Sequence, residues 1–66
     1  MNKRKAKATL FTVQESYVRA IKAFGRADSY GHGGKTTKAL EERDKGMAYI
    51  RKAQDAIAAL EAMIDE

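Results

Sequence analysis

The residues of this chain that could do chemistry gather in one stretch, Tyr30-Gly31-His32-Gly33-Gly34-Lys35-Thr36-Thr37. A glycine-rich turn that leads into a helix offers free backbone amides. Lys35 adds a cation and the threonines add hydroxyls, so a phosphate or carboxylate is the natural guest. The same residues also serve as a plain inter-helix turn followed by a cap. As a recognition element the turn would use Tyr30 by stacking, His32 by hydrogen bonding and Lys35 by charge. These three are the expected loop contacts to a partner. His32 beside Asp28 and Ser29 has the residue types of a catalytic triad, but a turn gives no scaffold to align one. A metal site needs three or four ligands, and one histidine without any cysteine does not supply them. No catalytic residue, metal or cofactor is expected.

The end of the stretch, Gly34-Lys35-Thr36-Thr37, resembles the close of a Walker A loop of the deviant type. The resemblance implies a lysine on the terminal phosphate and a threonine on magnesium. It covers eight residues, and the standard spacing wants a glycine where Ser29 stands. Such a loop also follows a buried parallel strand, and no segment here reads as one. Nucleotide hydrolysis is therefore not expected.

The elements that position this stretch read as helices. Proline is absent, and alanine, lysine and glutamate are common, so helix is the default state. The expected organisation is a single domain with a basic leader over 1–7, a first helix over 8–29, a Gly-rich turn over 30–35 and a second helix over 36–65. Gly25 either caps the first helix or is passed, whereas Gly31-His32-Gly33-Gly34 is the strongest break in the chain. The apolar residues from Leu10 to Phe24 cover an arc of about 180°. Leu10, Val13, Tyr17, Ala20 and Phe24 form a seam at coiled-coil spacing, with Phe11 and Val18 to one side of it. Gln14 sits inside the arc, either as a solvated groove edge or as a buried amide that fixes register.

Thr36 or Thr37 should cap the second helix, whose seam reads Ile50, Ala53, Ile57, Leu60 and Ile64. Ala39, Gly46, Ala53 and Ala56 are small enough to receive Phe11, Tyr17 and Phe24 as knobs. Gly46 in mid-helix costs roughly 1 kcal/mol relative to alanine, which a close contact or a slight bend would offset.

At 66 residues the chain buries only about 60% of its unfolded surface, so its own core is marginal. Without disulfides or a metal, self-association is the remaining route to stability. The expected architecture is an all-α antiparallel hairpin that dimerises into a four-helix bundle, with Phe11, Gln14, Tyr17 and Val18 at the interface. Its shape resembles the Rop family of plasmid RNA-binding regulators, which are also hairpin dimers. No residue motif carries that likeness.

The net charge of +4 lies entirely in Lys3, Arg4, Lys5 and Lys7, because the remaining nine basic and nine acidic residues cancel. Two readings follow. The leader, with a first-helix stripe of Arg19, Lys22 and Arg26, could hold nucleic-acid phosphates. Alternatively it lies beside Glu61, Asp65 and Glu66 at the far end of the hairpin. No apolar run approaches the roughly 20 residues of a membrane span, and the leader is not followed by the apolar block of a signal peptide. A cytoplasmic location without membrane association is expected. The expected function is that of a non-enzymatic protein-binding module, a regulator or inhibitor of the phage or plasmid accessory kind. An RNA- or DNA-binding hairpin dimer is the alternative.

Overall fold

A computed structural model describes residues 2–65. Two α-helices, α1 (Lys3–His32) and α2 (Thr36–Asp65), pack against each other as an antiparallel hairpin. Each helix is 30 residues long, and the hairpin measures 49 × 14 × 10 Å. The all-α expectation holds, and among the described residues there is no strand.

α1 is longer than expected at both ends. It begins inside the basic leader because Asn2 caps it, the side-chain oxygen accepting the Lys5 amide at 3.1 Å. Asparagine is among the best residues for that position. At the other end α1 runs through Gly25 and on through Tyr30-Gly31-His32. The break comes only where Gly34 takes φ +77°. The Gly34 amide reaches the Gly31 carbonyl and the Lys35 amide reaches the Tyr30 carbonyl, at 3.1 and 2.8 Å. This is a Schellman closure with glycine at its left-handed position. Glycines do not by themselves break a helix, and two of the four residues expected to do so are helical. α2 starts at Thr36 as expected, but Lys35 holds the cap position, its carbonyl accepting the Ala39 amide at 2.9 Å.

The line of contact between the helices differs from the expected seam. On α1 it follows Thr9, Val13, Ser16, Ala20, Ala23 and Ala27. On α2 it follows Ala39, Glu42, Gly46, Tyr49, Ala53, Ala56, Leu60 and Met63. Both lines alternate steps of three and four, the spacing of a helix–helix seam. Val13 and Ala20 are buried as expected, but Leu10 and Tyr17 are exposed, and so is Ile64. The cause is the small residues. Ala20, Ala23 and Ala53 are wholly buried, and alanines facing one another let the two backbones approach closely. A Leu–Tyr seam would hold them apart. Of the three expected knobs only Phe24 enters. Its ring lies over Gly46, where an added Cβ would stand 2.7 Å from the ring. That contact accounts for a glycine in mid-helix. Phe11, Tyr17 and Val18 stay outside the hairpin, and Glu66 lies outside the described residues.

Candidate interaction face

Burying alanines leaves the large apolar side chains elsewhere. At about 100° per residue, a second line on α1, Leu10-Gln14-Tyr17-Ile21, lies about 110° round from the contact line. A second line on α2, Leu40-Met47-Ile50-Gln54-Ile57-Ile64, lies about 100° round from its own. The helices are right-handed and antiparallel, so turning in the same sense from each contact line leads to the same side of the hairpin. Contacts across the hairpin agree. Phe24 meets Gly46 on that side, while Arg19 meets Tyr49 and Arg26 meets Glu42 on the other. One broad face is therefore apolar. Ile21 is 70% exposed and Ile64 is 64% exposed. Leu10, Tyr17, Leu40 and Met47 are also exposed, and Ile50 and Ile57 are half-buried. Val18 lies on the back of α1, opposite the contact line, and Phe11 lies beyond it, beside Glu15, Arg19 and Tyr49 of the other face; both are exposed.

Gln14 and Gln54 are the uncharged polar members of these lines, in which Arg43 and Glu61 of α2 also fall, and they stand level with each other across the hairpin. The register follows from the cross-helix contacts: Phe24 is level with Gly46, Arg26 with Glu42 and Arg19 with Tyr49. Lys7 is then level with Glu61 at the open end.

The opposite face is polar and tied together by charge. Arg26 donates to Glu42 at 3.0 Å across the two helices, and Lys45 reaches the same carboxylate at 3.3 Å. The Arg26 hydrogen bond, opposed by partial burial and helped by Lys45, holds the Glu42 carboxyl below its usual range. Arg19 pairs with Glu15 at 3.0 Å, and its guanidinium lies 6.0 Å from the centre of the Tyr49 ring. Of the expected basic stripe, Arg19 and Arg26 thus engage carboxylates and Lys22 faces outward. In the leader, at helical spacing, Lys3, Arg4 and Lys7 fall within about 100° of one another on α1, and Lys5 points to another side.

At the closed end the expected loop residues are gathered but open to solvent. Lys38 and Lys35 approach the Tyr30 ring at 5.6 and 6.0 Å. His32 turns back, its Nδ1 donating to the Asp28 carbonyl at 2.9 Å with the Asp28 carboxylate 3.5 Å away. Asp28 and His32 are both largely exposed. Gly34, Lys35, Thr36, Thr37 and Lys38 line an open hollow at the start of α2. Among the described residues no three potential metal ligands come together, and no helix is long and apolar enough to cross a membrane.

Of the four expected interface residues, Gln14 and Tyr17 share the broad apolar face, and Phe11 and Val18 lie off it on the back of α1. Sequence reasoning missed Ile21, Leu40, Met47 and Gln54 as members of this face. Their signal was present as a second line at heptad spacing beside the small-residue line.

No protein family model matches the chain, and no curated protein or solved structure matches it either.

Proposed function

We propose that this chain is a non-enzymatic interaction module that works as a homodimer. It closes its apolar face into a four-helix bundle and regulates or inhibits a larger protein by occupying that protein's surface. The observation that carries the reading is the exposed apolar face on one side of a hairpin whose own core is mostly alanine. Contiguous apolar patches of this size on small proteins mark interaction sites. A face of 49 × 14 Å is on the scale of the roughly 800 Å² per partner that a stable interface buries. Phe11 and Val18, on the back of α1, stay available after dimerisation and supply apolar contact for the regulated protein. Tyr30, His32 and Lys35 supply polar contact at the closed end.

The nucleic-acid alternative would use Lys3, Arg4, Lys5 and Lys7, with Arg19, Lys22 and Arg26. The carboxylates on Arg19 and Arg26 disfavour it. A pull-down from bacterial lysate with and without nuclease separates the two readings. A discrete protein that survives nuclease and is lost on Phe11→Glu with Val18→Glu supports the module. Recovery of nucleic acid alone, lost on removal of residues 1–7, would replace it with the alternative.

A further inference from the structure

We propose that the second copy docks about a two-fold axis running along the helices, so that both turns lie at one end and Gln14 of each chain meets Gln54 of the other. The inference rests on the dimer reading above and adds its topology and register.

Two symmetric ways exist to close one broad face on a copy of itself. If the axis runs along the helices, heights are preserved, and α1 of one chain faces α2 of the other, antiparallel. Residues level within the hairpin are then also level across the interface. Leu10 faces Ile57, Tyr17 faces Ile50 and Ile21 faces Met47 of the second copy. At the open end Lys7 faces Glu61, a pair of opposite charges at the rim. Gln14 faces Gln54, so the glutamines of both chains fall in a single layer. A side-chain amide carries donors and an acceptor, so amides meeting in one layer satisfy each other inside an otherwise apolar seam.

If the axis runs across the helices, α1 faces α1 and α2 faces α2 of the second copy. Full overlap then places Gln14 against Ile21 and Gln54 against Met47. Every amide would be buried against an apolar side chain, with its hydrogen-bonding groups unmatched. A polar residue at one seam position specifies register and assembly in helical bundles for this reason. A crossed dimer matches the amides only if it slides until the axis passes through their level. That slip sets Ile21 against Lys7 and Met47 against Glu61 and leaves the turn ends overhanging, so the glutamines favour the aligned arrangement. The aligned dimer also brings Tyr30, His32 and Lys35 of both chains to the same end. A partner that engages one turn would meet the second nearby, which raises avidity without a new contact.

The chain has no cysteine, so a single one can be introduced and spin-labelled at the exposed His32. Pulsed dipolar spectroscopy on the His32→Cys dimer then reads the topology. The aligned arrangement gives a label separation under about 30 Å, set by the width of a four-helix bundle. The crossed one gives more than about 40 Å, because the turns lie a helix length apart at 1.5 Å per residue. A long distance would overturn this topology and leave the dimer standing. A monomeric mass with no dipolar signal would remove both. The double variant Gln14→Leu with Gln54→Leu, in the labelled background, should remain dimeric and add a long-distance population. A distance that stays wholly short in that variant would show that the amides do not set the register.

Discussion

The two broad faces of the hairpin come from the same pair of helices and hold their residues in opposite ways. The polar face is cross-linked within the chain: Arg26 spans to Glu42, Lys45 joins them, and Arg19 lies over Tyr49. Its groups have partners already, and ion pairs at a solvated surface add little to stability. The apolar face has no such closure, and Leu10, Ile21, Leu40, Met47 and Ile64 stand in solvent. Burying one side chain of this kind is worth about 1.5–3 kcal/mol. The larger reserve of stabilisation therefore lies on the face the monomer leaves open, and the alanine contact line holds the helices together chiefly by close approach. Substitutions that confuse or separate these roles test the contrast.

The largest effect is expected inside the contact line. Ala53→Asp places an unpartnered carboxylate where the side chain is wholly buried, a penalty of several kcal/mol against the few that a domain this small holds. Circular dichroism should show helicity lost at every protein concentration. Retention of full helicity would mean that the alanine line is not the core.

Next comes the apolar face. Ile21→Glu should leave the contact line intact and weaken dimerisation by at least about 100-fold, since each dimer loses two buried isoleucines. Sedimentation velocity reads the shift, and helicity should become concentration-dependent. Arg19→Gln, on the polar face, should leave association unchanged. Equal effects from the two substitutions would erase the distinction between the faces.

A smaller effect is expected at Gly46→Ala, where the new Cβ meets the Phe24 ring. Alanine favours helix by about 1 kcal/mol, but overpacking costs about 1–3 kcal/mol, so thermal stability should fall slightly. Phe24→Leu in that background should restore it, and an unrescued loss would place the strain elsewhere.

The smallest effect is on the polar face. Because Glu42 titrates below its unfolded value when folded, its contribution is full above the usual glutamate range. It is lost as pH falls through the depressed folded value. Glu42→Gln should flatten the acid limb of a melting-temperature profile slightly. A profile identical to that of the unaltered chain would remove Glu42 as a contributor.

The helical hairpin and the start of α2 were legible in residue type and spacing. So was the close contact at Gly46. The partition of apolar residues between two seams was not. Leu10 and Tyr17 have the right spacing for a core and look more apolar than Ser16 or Ala23, so hydrophobicity alone favours them. What decides is backbone distance, a property of both helices together that no single-helix arc contains. The end of α1 was misread for a related reason. Gly31 and Gly33 differ little in sequence, yet only the hydrogen bonds at Tyr30 and Gly31, with the positive φ at Gly34, show where the helix closes. At the N-terminus Asn2 carried the capping signal openly, and the charge of the leader drew attention away from it.

The central claim is that the apolar face is an interface between copies of this chain, and its mass in solution tests that most directly. Sedimentation equilibrium at micromolar concentration should give a species of twice the 7.3 kDa chain mass. Helicity should match 30-residue helices, and both values should fall together on dilution. A stable species at the single-chain mass, fully helical with that face in solvent, would contradict the account.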